Sequence, residues 1–521
     1  MLLSIAQRWG GLNNHAPFAV ARRSTGMKSK WIGRALVLAL CTAALPACSQ
    51  GGNSSNQASE NASAEASGLT LDKKAEQDIR EAIAGAPAHG LKPDLFLKGG
   101  ESGEALVQAG LKYASALANG YSDPKQLHEV YTIPRAKTDV RAGLQQAIQN
   151  GKVAEWFNSL PPQTDEYKAL SRAFTKYATQ VRDAGAQEIP SDTPIKPGAK
   201  DPRIPAIVAV LRAGGYLPDE QPANTQQQGQ KQPQPAPQMS YTPALVAAVK
   251  QFQSDSGVKP DGILGKETIG ALSTGPATRA RQLAVAMERL RWLQREPPGT
   301  RIDVNTAAST LDYWRDGQHV DHRKVINGEA DKPTPQLQAP IYRLVANPTW
   351  TVPKGIAAQE LAKKGQAWLD NNDFVMKDGM YVQQSGPKNS LGLVKFDMKD
   401  DEAIYLHDTP AKSLFSLSDR HRSHGCVRVE NATQFATALA QQEGVLDEFQ
   451  KAMQKNEETF VKLPKEIPVR LLYHTAFWDG SRIQFRPDVY GWDENVAKAL
   501  ELAPGPPRKI EQPESSDDIG P

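Results

Sequence analysis

Apolar residues recur every three to four positions through residues 70–200, the period of helices packed on one another. Ala75, Ile79 and Ile83 share a helical face. Leu106, Leu111, Tyr113, Ala114 and Leu117 mark a second helix, and Leu144, Ile148, Val153 and Phe157 a third. Tyr167, Leu170, Phe174 and Tyr177 form a further stripe. Stripes at this spacing are core rather than chemistry, so residues 70–201 are predicted as a helical scaffold, with His89 in a turn. A smaller three-helix module follows at 202–274. Its faces are Ile204, Ile207 and Leu211, then Leu245, Val249 and Phe252, then Ile269 and Leu272. Gly214-Gly215, Gly257, Asp261-Gly262 and Gly265 supply its turns. The Gln/Pro-rich stretch 221–238 reads as an inserted loop. An amphipathic helix (Leu283, Met287, Leu290, Leu293) connects onward over 280–299 and stops at Pro297-Pro298-Gly299.

From residue 301 the period changes to two. Ile302–Val304, Thr310–Trp314 and His319–Ile326 read as strands, with Asp316-Gly317 as the hairpin turn. Ile341–Ala346, Leu393–Phe396, Ala403–Leu406, Val469–Tyr473 and Ile483–Phe485 add short strands. Helices are expected at 356–370 and 431–453. The fold class is therefore α+β and multidomain, with a mostly β domain over 300–490. The tail 503–521 is acidic and Pro-rich, a composition that does not form a core.

The 521 residues suit two to four domains, and 39% hydrophobic content suffices for real cores. A net charge of +3, with basic residues spread out, argues against a nucleic-acid partner. Lys28, Lys30 and Arg34 precede the apolar run Ala35–Leu45, which is too short to span a membrane well and fits a signal segment. The run ends Leu45-Pro46-Ala47-Cys48 and resembles a bacterial lipobox, in which Cys48 is lipidated. Pro46 is unusual there, and an ordinary cleaved signal is the alternative. Met27 heads the basic region, and Arg22-Arg23 is a faint twin-arginine hint. Segment 1–48 would then be the address, and 49–69, rich in Ser, Asn, Ala and Gly, a tether.

The chain has three cysteines. Cys41 lies in the signal and Cys48 at the lipobox, which leaves Cys426 as the one thiol of the mature domains. His407 stands nineteen positions upstream. An imidazole can take the thiol proton and hold the resulting ion pair. Gly425 permits a tight turn, and the N–H groups of His424, Gly425 and Cys426 can face an oxyanion. Arg428, two residues past the thiol, shares its face on a strand and can clamp a carboxylate; a structural ion pair is the alternative. Cys426 can also be simply a small buried hydrophobe. His407, His421, His424 and Cys426 are a further alternative, a zinc set, although the paired spacing usual for structural zinc is missing.

Tyr405-Leu-His-Asp-Thr-Pro410 followed by Ser423-His-Gly-Cys-Val-Arg428 resembles the active site of the L,D-transpeptidases, cysteine enzymes that cross-link bacterial peptidoglycan. Asn389-Ser390-Leu391-Gly392 and Lys395 match a family segment lining the same cleft. The resemblance implies Cys426 as nucleophile and His407 as base, oriented by the backbone carbonyl after it. Tyr405, Ser423, His424, Gly425, Arg428 and Lys395 are the candidate substrate and oxyanion residues. It also implies a cap over the cleft at 353–388, with Trp350, Trp368 and Tyr381 either facing substrate or packing. The Ala-Val-Lys-Gln-Phe-Gln segment at 248–253 resembles a peptidoglycan-binding repeat, which otherwise serves as a spacer. The family reaction joins tetrapeptide stems through meso-diaminopimelate as a 3→3 cross-link, with no metal or organic cofactor. The expected partners are peptidoglycan, cell-wall synthases and, through the lipid, a membrane, which places the chain in the periplasm. A thiol hydrolase of stem peptides and a non-catalytic wall-binding scaffold remain as competing readings.

Overall fold

The two-residue period that begins at Arg301 builds eight strands that close on themselves. They are β1 (Arg301–Asn305), β2 (Thr310–Arg315), β3 (Gln318–Gly328), β4 (Gln338–Ala346), β5 (Val394–Met398), β6 (Leu406–His407), β7 (Val427–Val429) and β8 (Thr459–Leu472). The neighbour order is β1-β2-β3-β7-β6-β5-β4-β8, and β8 pairs with β1 again. Closure removes exposed sheet edges. Only β6–β7 and β1–β8 run parallel. The β2–β3 turn has positive φ at both Asp316 and Gly317, the twist-compatible hairpin that Asp-Gly favours. Alternate residues (Val304, Leu344, Phe396, Leu406, Val427, Val469) join Phe435, Leu439 and Phe449 in one core. The last three come from helices Ala432–Gln442 and Leu446–Met453.

The computed structural model describes residues 68–183, 189–218, 239–505 and 520. Segment 1–48 with Cys41 and Cys48, nearly all of tether 49–69, loop 221–238 and most of tail 503–521 lie outside them. No described helix is long and apolar enough to cross a membrane.

Helix Pro276–Trp292 is the axis of the rest. Leu283, Ala286 and Met287 pack on Tyr167 and Leu170 of helix Asp165–Asp183, while Val285 and Trp292 enter the scaffold core beside Ile79, Leu117 and Phe157. Val496 and Ala497 of helix Trp492–Ala499, with Leu500 just after it, enter the same core. The axial helix also buries charge. Arg291 pairs with Glu288 at 2.7 Å and Arg289 with Asp493 at 2.5 Å. Glu288 also accepts from the Ser122 amide and the Trp292 indole. Ions this deep persist only when paired and hydrogen-bonded.

Several expected elements are interrupted. The third scaffold helix is two, Val140–Gln149 and Val153–Ser159, separated by left-handed Gly151. Helix 431–453 divides at Gly444 for the same reason. The expected 356–370 helix is a short turn at Lys354–Ile356, a π-turn at Ala357–Leu361 and a helix at Gln366–Asn371, which starts after Gly365. Strand 403–406 shrinks to Leu406–His407. Ala403 is left-handed, and the Asp400 carboxylate takes the amides of Glu402 and Ile404 out of any ladder.

Candidate active site

Register alone brings the chemistry together. His407 on β6 sits opposite Arg428 on β7 and opposite Lys395 on β5. Their neighbours Leu406, Val427 and Phe396 enter the core, so by alternation the three polar side chains share the other face.

His407 is fully buried. Its Nδ1 lies 2.5 Å from the Asp408 carbonyl, to which it donates as Nδ1–H. That bond fixes the tautomer with the Nε2 lone pair available, and Nε2 has no hydrogen-bond partner among the described residues. Burial, then the Arg428 charge, holds the imidazole well below its usual value, so the ring is neutral. The Asp408 carboxylate is held by the Leu393 amide at 3.0 Å and by Lys412. Gly392 has φ +63, and a Cβ there would lie 2.4–2.5 Å from the Asp408 side chain. Gly392 is thus what lets Asp408, and through it His407, seat.

Cys426 is 6% exposed. Its thiol donates to the Ala403 carbonyl at 3.9 Å, and the Tyr405 amide and hydroxyl lie close enough to favour the thiolate. The Tyr405 ring packs edge-on to His407, with centroids 5.7 Å apart, and Lys395 Nζ sits 4.1 Å from the Tyr405 centroid. Tyr405 therefore stands between nucleophile and base. Among the described residues no direct thiol–imidazole bond is present. Burial pushes the thiol up to about 11, although the nearby Tyr405 polar groups and Lys395 oppose this. The resting pair is thus neutral thiol and neutral imidazole rather than the ion pair expected from sequence.

The loop before the thiol is closed by Ser423. Its hydroxyl donates to the Cys426 carbonyl at 2.6 Å and accepts from the Gly425 amide at 3.2 Å. Ser423 is committed to this turn, and the Gly425 amide is spent. Of the three amides expected to face an oxyanion, His424 and Cys426 keep theirs unbonded among the described residues. Gly425 has φ +121, a conformation that favours glycine, although a Cβ would meet nothing closer than 3.7 Å.

A cleft of about 720 Å³ reaches Cys426, walled by Trp350, Ile356, Lys395, Glu402, Tyr405 and His424. His407 and Arg428 lie behind its wall. Lys395 is paired with Asp397 at 2.8 Å. Cap residues 353–388 carry the strands Phe374–Lys377 and Met380–Gln383, which form a three-stranded sheet with Trp350–Thr351 just before the cap. Trp350, Trp368 and Tyr381 pack with Leu361 and Phe374 inside the cap, although Trp350 also reaches the cleft. Gln383 takes the Ser390 amide, which fastens the cap to the 389–392 segment.

His424 bridges two distant segments. Its Nε2 lies 2.6 Å from Glu360 of the cap, without hydrogen-bond alignment, and its Nδ1 lies 2.8 Å from the Gly520 carbonyl. The Gly520 backbone also lies against Arg428, close enough that a Cβ would meet Nη2 at 2.8 Å. Neither Glu360 nor Gly520 has a local sequence signal. Both lie far along the chain from residues 405–428, and only tertiary structure places them. His421, a member of the alternative zinc set, points away, with Nδ1 on Asp419 and Nε2 on the Thr306 carbonyl. The four zinc candidates do not converge.

Comparison with known proteins matches three stretches of the chain to known domains. Residues 299–446 match the family described as L,D-transpeptidase catalytic domain (YkuD), 69–174 a scaffold domain, and 211–272 a "Putative peptidoglycan binding domain". A Haemophilus influenzae protein named "Putative L,D-transpeptidase" is 31% identical over 239 residues, which is 41% of this chain and 48% of that protein. The chain thus spans about half the length of that relative. Solved L,D-transpeptidase structures from Mycobacterium smegmatis and Xylanimonas cellulosilytica are more distant. The first has 12% identity and a TM-score of 0.19, covering 33% of this chain and 58% of that one. The second has 16% identity and a TM-score of 0.20, covering 55% and 99%. At those scores neither bears on the chemistry here. The chain carries an L,D-transpeptidase catalytic domain together with a scaffold domain and a peptidoglycan-binding domain.

Proposed function

We propose that this chain is a cell-wall L,D-transpeptidase that forms 3→3 peptidoglycan cross-links through a thioester on Cys426. The observation that carries the reading is the pairing of a cleft-facing thiol with a buried, neutral imidazole whose Nδ1 is locked and whose Nε2 has no partner among the described residues. The thiol attacks the carbonyl between meso-diaminopimelate and the terminal D-Ala as His407 Nε2 takes its proton. The His424 and Cys426 amides receive the oxyanion. Collapse of the tetrahedral intermediate breaks the C–N bond, and the imidazolium returns the proton to the departing D-Ala amine. The side-chain amine of a second stem then attacks the thioester and gives its proton to His407. The thiol is restored and the new amide is the cross-link. The Gly520 carbonyl beside His424 and Arg428 supports a peptide-accepting surface there.

The neutral resting pair fits this sequence of steps. Proton transfer to His407 accompanies attack, so the thiolate exists only when a carbonyl is present to receive it. The 202–274 module would hold the glycan while the stem enters the cleft. Lipidation at Cys48 would keep the chain in the bacterial envelope, on the periplasmic side where stems and synthases meet. Labelling with radioactive palmitate, lost in Cys48→Ala, checks the anchor.

Purified disaccharide-tetrapeptide incubated with the soluble form from residue 69 tests the reaction by mass spectrometry. A dimer lighter by one D-Ala, absent in Cys426→Ala, is the expected result. Tripeptide monomer alone would instead establish a hydrolase. No turnover and no β-lactam adduct on Cys426 would leave a wall-binding scaffold.

A further inference from the structure

On the β2–β3 hairpin, outside the cleft, three metal-binding side chains meet. Asp312 Oδ1 lies 2.8 Å from His319 Nε2 and 2.8 Å from His322 Nδ1. All three donor atoms lie within 4.8 Å of one another, and among the described residues no other group of three His, Cys, Asp or Glu does this. We infer that Asp312, His319 and His322 form a surface site for one divalent transition-metal ion of the zinc class.

The backbone is shaped for it. His319 and His322 are three residues apart on β3, and in a regular strand an odd separation puts side chains on opposite faces. Here Tyr313 pairs with Asp321 and Trp314 with His319, so Val320 is an extra residue in β3. That bulge rotates His319 onto the face of His322, the re-aiming that bulges provide. Val320 is left 48% exposed. Asp312 pairs directly with His322 across the strands, and Trp314 packs on the His319 ring at 5.1 Å. Both ring positions are therefore supported from the strands themselves.

The donor set is chemically specific. Two imidazole nitrogens and one carboxylate oxygen suit zinc, nickel and copper better than calcium or magnesium, which want all-oxygen shells. Tetrahedral zinc with ligands near 2.0–2.1 Å has donors about 3.3 Å apart, so the two imidazoles need to open by about half an ångström. On binding, each facing nitrogen presents its lone pair and its ring carries hydrogen on the other nitrogen. The side chains are 33%, 43% and 56% exposed, which leaves the remaining coordination position to water. Such an ion would clamp β2 to β3 at the bulge.

Zinc chloride titrated calorimetrically into the full chain carrying Cys426→Ser tests this. That background removes the cleft thiol as a competing ligand. One zinc per chain with micromolar affinity is expected. Asp312→Asn and His322→Gln should each weaken it about 10- to 100-fold, and His319→Ala with His322→Ala should abolish it. Cobalt substitution should give visible absorption bands that these variants lose. Circular dichroism and melting without metal establish that each variant is folded; if His319→Ala/His322→Ala is not, the two conservative single variants decide. No heat up to about 1 mM zinc, or the same stoichiometry and affinity in the folded variants, overturns the site.

Discussion

Alkylation of Cys426 as a function of pH separates a neutral resting pair from a pre-formed ion pair. A free thiol near 8.5 is about 10% thiolate at about pH 7.5. With burial pushing Cys426 up to about 11, the thiolate fraction at the same pH is about 0.03%, roughly 300-fold less. Iodoacetamide reacts with the thiolate, and intact-mass measurement follows one adduct per chain when Cys426→Ala is the blank. The expected rate climbs about tenfold per unit between about pH 7 and about pH 10, without a plateau. The low exposure of Cys426 slows alkylation at every pH and so leaves the slope intact. Tyr405→Phe removes a hydroxyl that holds the thiol down, so its rate at any pH in that range should fall further. A rate that is flat from about pH 6 to about pH 9 would mean that the thiolate already exists beside an imidazolium. That result would refute both the neutral pair and the account of proton transfer built on it.

Three further outcomes follow from the packing. Gly392→Ala drives a Cβ into the Asp408 side chain, so acylation by a β-lactam should slow by at least about tenfold through loss of His407 orientation. Gly355→Ala, which meets open space in the cap, should behave as wild type. Asp493→Ala leaves Arg289 buried without its carboxylate, and urea unfolding should show a loss of about 3–5 kcal/mol; a loss under about 1 kcal/mol would contradict the pairing. His128 is buried with neither ring nitrogen bonded among the described residues, and burial holds it down to about 3. The unfolded chain therefore binds a proton that the folded chain refuses, from about pH 6.5 down to about pH 3, and this group's contribution falls as pH falls through that window. Relative to wild type, His128→Leu should be about 2 kcal/mol more favourable at about pH 5 than at about pH 7.5. An equal difference at both would show that His128 is not neutral in the fold.

The spacing of the two candidate motifs has a reason that the barrel makes plain. His407 and Arg428 are direct partners in a parallel strand pair, and parallel neighbours need a crossover of a dozen or more residues. The spacer between the two motifs is that crossover. It holds a 3₁₀ turn at Lys412–Ser416 and the strand His421–Ser423, which pairs alongside β3. The motif distance therefore records a topological requirement. The same brevity hid the barrel itself, because strands of two and three residues carry too few alternations to be read as period two. Gly151, Gly365 and Gly444 divided helices that apolar spacing had joined, since the faces on either side stay in phase across one break.

What sequence reading missed lies where one residue changes the geometry. Strict alternation sends His319 and His322 to opposite faces, and only the extra residue Val320 gathers them on Asp312. The available signal was a His-x-x-His run following an Asp across an Asp-Gly turn, a pattern that reads as solvated hairpin unless the bulge is known. The active-site turn shows the converse. Ser423 and Gly425 were expected beside the substrate because they flank the thiol, yet their hydrogen bonds face inward and shape the loop. In the proposed reaction, charge stabilisation then falls on the two amides that the turn leaves unspent among the described residues, His424 and Cys426. A Ser423→Ala variant should accordingly slow acylation by loosening that turn, and restoring the hydroxyl with Thr should recover more activity than Cys at the same position. Equal activity of Ala and Thr would show that the hydroxyl does not hold the turn, and would remove the reason for assigning the oxyanion to those two amides.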